Sequence, residues 1–114
     1  MIGKHIIINV KNIRDNTNLK YIGSIKPLFL MIIEKFKLTV VNSCSHQFKP
    51  HGATLLYLLS ESHLSCHTFV EEGILSMDIF TCNKDKDIDP DQLIEMLYNY
   101  FDHEIEIDME LIIR

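Results

Sequence analysis

Basic charge, long apolar runs, glycine and proline are all scarce in this chain of 114 residues, and each shortage closes off a class of protein. Eleven Lys and Arg stand against sixteen Asp and Glu, giving a formal net charge of −5 and a pI near 5.6. An acidic surface attracts neither a phosphate backbone nor anionic lipid headgroups, so no nucleic acid and no membrane is expected as a partner. The longest apolar run, Pro27 to Ile33, is far short of the roughly 20 residues that a spanning helix needs. The opening MIGKHIIINV has neither the length nor the cleavage site of a signal peptide, and a cytoplasmic protein is expected. Four Gly and three Pro in a chain that is 46% hydrophobic and 24% charged argue against disorder. Cys44, Cys66 and Cys82 are odd in number and have no framework spacing, which reads as free thiols in a reducing compartment. The length suits one domain, residues 1–114, built on one core. No internal repeat or low-complexity tract is present.

What is present alternates between strand and helix signals. Lys4 to Val10 reads as a first strand, followed by a polar connection from Lys11 to Leu19. Ile25, Leu28, Phe29, Ile32, Ile33 and Phe36 fall on one helical face, with Ser24 as the expected cap and Pro27 in the expected first turn. Leu38 to Val41 reads as a second strand. Thr54 to Leu59 reads as a third, apolar enough to be buried on both faces, and His63 to Phe69 as a fourth. Glu72 and Gly73 mark a turn, Gly73 to Phe80 a fifth strand, and Asn83 to Asp87 a solvated charged loop. Asp89-Pro90-Asp91-Gln92 predicts a helix start, with Leu93, Met96, Leu97, Tyr100 and Phe101 on the buried face. Glu104 to Leu111 alternates as a strand with one face wet and the other on the core. The order predicts an α+β fold, a two-layer sandwich with helices on one face of a mainly antiparallel sheet.

The chemistry concentrates in LLSESHLSCHTF, residues 58 to 69, where serines, histidines, a cysteine and a glutamate follow an apolar strand. Ser or Cys with His is the generic nucleophile and base. On a regular strand, however, Ser62 and His67 point to opposite faces, so a meeting requires Ser62 to precede the strand in a turn or bulge. The competing reading is a sheet-edge segment whose polar residues face water. The Cys and His spacings match no zinc motif, so no metal is expected, and Asp87, Asp89 and Asp91 read as helix-start acids rather than a calcium site.

Ser60-Glu61-Ser62-His63-Leu64, then His67-Thr68, then Met77-Asp78-Ile79-Phe80-Thr81-Cys82, closely resembles the prokaryotic S-adenosylmethionine decarboxylase proenzymes. Their pattern is S-E-S-H-L-x-x-H-T followed by D-x-F-T-C. Gly3-Lys4-His5 is similar to that family's entry to its first strand, and His46 to Gly52 is similar to its H-x-F-x-P-x-G segment. The resemblance covers nearly the whole chain.

It implies autocatalytic cleavage of a zymogen between Glu61 and Ser62, giving a β chain 1–61 and an α chain 62–114 whose first residue becomes a pyruvoyl group. That covalent cofactor implies Schiff-base chemistry with the substrate amine and an electron sink for the carbanion left by CO2 loss. By the same resemblance, His67 removes a proton in processing, Thr54 supports processing, and Cys82 protonates the substrate carbon. Phe48 and Phe69 sandwich the adenine and Glu71 holds the ribose. The implied product is the aminopropyl donor of spermidine biosynthesis, and the implied assembly is a homodimer that shares active-site residues near a sheet edge.

Thr54 stands where the family commonly has Ser, Phe69 where it commonly has Trp, and Cys66 where an aliphatic or β-branched residue is usual. Substrate identity therefore has a rival, a pyruvoyl-dependent ornithine or arginine decarboxylase. A non-catalytic regulatory paralogue is a second rival, opposed by the intact Ser62, His67 and Cys82. An unrelated α+β ligand-binding module is a third, opposed by the length of the motif.

Overall fold

Burial alternates along the strands and gives the sheet two unlike faces. In β1 (Gly3–Lys11) Ile6, Ile8 and Val10 are buried. Leu55, Tyr57 and Leu59 of β3 (Ala53–Leu59), Leu64 and Cys66 of β4 (Ser62–Phe69), and Leu75, Met77 and Ile79 of β5 (Ile74–Cys82) lie on the same side. With β2 (Asn42–Gln47) and β6 (Glu106–Ile113) they form a six-stranded antiparallel sheet in the order β2-β3-β4-β5-β1-β6. These ranges come from a computed structural model that describes residues 2–82 and 87–114; of the charged loop expected at Asn83 to Asp87, only Asp87 lies within them.

Among the described residues three helices, α1 (Thr17–Lys20), α2 (Ile22–Lys35) and α3 (Pro90–Tyr100), accompany the sheet. Ile25, Leu28, Phe29 and Ile32 of α2 and Leu93 and Leu97 of α3 are buried in one core with the strand residues above. Phe29 stacks on Tyr57 with ring centroids 6.5 Å apart. Each such side chain contributes about 1.5–3 kcal/mol on leaving water. The architecture is the expected two-layer α+β sandwich. The start of α3 also agrees, since Asp89 accepts a hydrogen bond from the Asp91 N–H at 2.9 Å with Pro90 at the first helical position.

Five local expectations differ. The second strand is not Leu38 to Val41 but Asn42–Gln47. Leu38 packs at the exit of α2, its N–H reaching the Ile33 carbonyl at 2.9 Å, while the true strand is a sheet edge and, being solvated, carries no apolar signature. Helix α2 begins at Ile22 instead of after Ser24, because Gln47 Oε1 accepts the Ile22 N–H at 2.8 Å and replaces a local cap. Pro27 therefore sits beyond the first turn, where no proline N–H is present to reach the Gly23 carbonyl.

Strand β3 is not buried on both faces. Leu56 and Leu58 are 43% and 47% exposed, since among the described residues no second layer covers the open face of the sheet. The last strand runs to Ile113, and its apolar residues Met109, Leu111 and Ile113 pair beside β1 at an edge that the helices do not cover. The core contact expected of that strand is made by Ile107 and by Ile105 just before it.

Candidate active site

The residues expected to carry chemistry gather at the two ends of β4. At one end, Ser60 and Glu61 form the two-residue turn between β3 and β4, and Ser60 takes a positive φ of 40°. A non-glycine residue there costs about 1–2 kcal/mol, so the bond between Glu61 and Ser62 follows a strained position. Ser62 is the first residue of β4, paired with Leu59, and is not held in a turn or bulge. Its Oγ accepts the backbone N–H of Cys82 at 3.0 Å. Cys82 is 8% exposed and ends β5, where it pairs with Gly3. A Cβ on Gly3 would lie 2.1 Å from the Thr81 carbonyl oxygen, which explains why a residue without a side chain closes β1 onto this end.

At the other end, Thr54 Oγ1 and His67 Nδ1 share a hydrogen bond of 2.9 Å across the β3 and β4 pairing. They line a cavity of about 390 Å³ together with Phe48, Phe69 and Glu71. That volume lies in the range of small-molecule sites. Phe48 and Phe69 are about half exposed, at 49% and 47%, and neither belongs to the core. Two aromatic faces and a carboxylate on one opening suit a flat, apolar ring joined to a hydroxyl-bearing group.

Within one chain these two groups do not meet. Ser62 and His67 are five residues apart on β4, about 16 Å at the usual rise per strand residue. Strand alternation sets Ser62 on the side of buried Leu64 and Cys66, and His67 on the open side with His63 and Ser65. Cys66 is thereby removed from the reactive set: burial pushes its thiol up to about 12, leaving it protonated at neutral pH. Glu61 is exposed at the turn.

The contacts that hold the cavity loop have no signature in local patterning. Gln47 Nε2 donates to the carbonyls of Lys20 and Gly52, both at 2.9 Å, and of Phe48 at 3.1 Å, while its Oε1 caps α2. Phe48 and Gly52 close the loop with an N–H to carbonyl bond of 2.8 Å. The partners lie 25 and 27 positions away in α1 and α2, so local patterning carries no signal for them. Replacing Gln47 by Ala is expected to lower stability by about 1–3 kcal/mol, because the Ile22 N–H loses its partner. Equilibrium denaturation tests this, and an unchanged midpoint would contradict it.

A third grouping, likewise unseen in the sequence, occupies the open face between these ends. Asp78 Oδ2 accepts from His5 Nε2 and from His63 Nε2, each at 2.7 Å, and its other oxygen accepts from Ser65. Burial pushes the Asp78 carboxyl up, but the hydrogen bonds from Ser65, His63 and His5 outweigh it and hold the carboxyl below its ordinary value.

This fold and motif set have known relatives. The sequence profile described as S-adenosylmethionine decarboxylase matches residues 4–114. The chain is 37% identical over 82 residues to an S-adenosylmethionine decarboxylase proenzyme of Archaeoglobus fulgidus, covering 72% of each chain. It is 36% identical over 97 residues to one from Prochlorococcus marinus, covering 85% of this chain and 75% of that protein. A crystal structure of the adenosylmethionine decarboxylase from Aquifex aeolicus superposes with a TM-score of 0.82 at 28% identity, over 99% of this chain and 90% of that one. The protein is thus an α+β sandwich of the decarboxylase proenzyme class. It belongs to the S-adenosylmethionine decarboxylase family.

Proposed function

We propose that this chain is a self-processing, pyruvoyl-dependent decarboxylase of S-adenosylmethionine, working in the cytoplasm to supply the aminopropyl donor for spermidine. The observation that carries the reading is the Ser62 hydroxyl at the start of β4, next to the turn-borne Glu61 and hydrogen-bonded by the Cys82 amide. In processing, Ser62 Oγ attacks the Glu61 carbonyl, and an ester forms as the Glu61–Ser62 amide breaks. Loss of the Ser62 α-proton expels Glu61 as a carboxylate. Water then displaces the nitrogen as ammonia and leaves a pyruvoyl end on residue 62. That group supplies a ketone able to accept the electrons released with CO2. Cys82, on the strand end beside it, holds the proton for the substrate carbon.

His67 and Thr54 serve the same chemistry from a second chain. A homodimer whose open sheet faces pack about a two-fold axis lying across the strands brings the Ser62 end of one chain over the His67 end of its partner. Ser62, the first residue of β4 with its hydroxyl on the Cys82 amide, is reached there from the end of the strand. Exposed Leu56 and Leu58 on that face give the packing an apolar contribution. Each active site is then Ser62 and Cys82 of one protomer with the partner's His67 and the partner's Thr54. Phe48, Phe69 and Glu71 border the same half of the site as His67, and there they receive the nucleoside.

The pair of phenylalanines favours S-adenosylmethionine over ornithine or arginine, neither of which has a ring to place between them. Release of CO2 from the three compounds tests this. Turnover is expected with S-adenosylmethionine alone, and Phe69→Ala is expected to raise KM about tenfold or more through lost stacking. Turnover of ornithine or arginine that Phe69→Ala leaves unchanged would overturn the assignment.

A further inference from the structure

We propose that His5, His63 and Asp78 form a binding site for a divalent transition metal, of the kind exemplified by zinc, in the middle of the open sheet face. Three donor atoms converge there. His5 Nε2 and His63 Nε2 both lie 2.7 Å from one oxygen, Asp78 Oδ2, and all three atoms are within 4.8 Å of one another. The imidazole planes stand at 85° with centroids 5.7 Å apart, so the two rings approach the carboxylate from different directions. That is the donor layout of two histidines and one carboxylate around a single ion.

The scaffold is rigid. The three residues come from adjacent strands β1, β4 and β5, where His5 and His63 are both opposite Phe80 in register and Asp78 is opposite Ser65. Ser65 donates to the second oxygen of Asp78 and turns the first toward the histidines, the supporting contact that fixes a ligating carboxylate. Within one chain the side chains are only 20%, 35% and 24% exposed for His5, His63 and Asp78, and the coordination positions they leave face the layer between the two sheets of the proposed dimer, where water completes the shell.

The donor set selects the metal class. One carboxylate is too little negative charge for calcium or magnesium, which prefer oxygen ligands, whereas two imidazoles suit zinc, cobalt and nickel. Arg114 stacks over Phe80 at 4.6 Å from the ring centroid and adds positive charge nearby, so affinity rests on the nitrogen ligands. Binding through Nε2 moves each ring proton to Nδ1, and a protonated imidazole releases its extra proton to solvent. The site uses neither Ser62 nor His67, and its outcome is independent of the decarboxylase reading.

The test is titration of the purified, metal-stripped full chain with Zn(II) by calorimetry, with Co(II) absorption and X-ray absorption on the same protein. The expected result is one saturable ion per chain with nitrogen and oxygen ligands and two imidazoles. His5→Gln and Asp78→Asn are expected to weaken binding by about tenfold or more, while His103→Gln, remote on the loop before β6, leaves it unchanged. The wild-type X-ray absorption spectrum needs no variant to fold. Absence of saturable binding, sulfur ligation, or binding indifferent to His5→Gln and Asp78→Asn would each overturn the proposal.

Discussion

Two inactive variants, Ser62→Ala and His67→Ala, are expected to regain about a quarter of wild-type activity when co-expressed, as random two-fold pairing requires. Ser62 and His67 stand at opposite ends of β4, about 16 Å apart at the usual rise per strand residue. A chain with this geometry does not complete its own site. In a mixed dimer, one site pairs the intact Ser62 of the His67→Ala chain with the partner's His67, and the other site lacks both groups. Half of all dimers are mixed under random assembly, and each has one working site of two. The measurement is the fraction of cleaved chains and the decarboxylation rate of the co-expressed pair. Each variant expressed alone sets the baseline. Recovery no greater than that baseline would refute the shared site.

The second large effect separates processing from turnover. Cys82 meets Ser62 through its backbone N–H, so Cys82→Ala keeps the 3.0 Å contact that orients the hydroxyl before cleavage. The same substitution deletes the thiol that delivers a proton after CO2 has left. Cys82→Ala is therefore expected to cleave into two chains yet turn over about 10²–10⁴ times more slowly, the usual worth of a positioned general acid. Mass spectrometry and a decarboxylation assay on one preparation read both properties. Equal loss of both, or full turnover, would contradict the division of labour between amide and thiol.

What could be read from the sequence follows the range of the interactions involved. The cap of α3 is local, since Asp89, Pro90 and Asp91 are neighbours, and it was legible. Strand β4 was legible for the same reason, and so was the opposition of Ser62 and His67 across the strand, but the strand takes in Ser62 and leaves it in no turn or bulge. The start of α2 was not, because its cap is a glutamine 25 residues later. Strand β2 was hidden because NSCSHQ is an exposed edge with no apolar residue except Cys44. The cluster of His5, His63 and Asp78 depends on the register of three strands, which no spacing rule encodes. Motif likeness supplied the site residues together, but their separation into two ends of the sheet emerged only from strand pairing.

The measurement that bears most directly on the central claim is the intact mass of freshly purified wild-type protein beside a Ser62→Ala control. Two wild-type chains are expected, divided between Glu61 and Ser62, the second with a pyruvoyl end, and a single uncut control chain. A folded wild-type protein that remains one uncut chain would contradict the account and make a non-catalytic member of the family the better description.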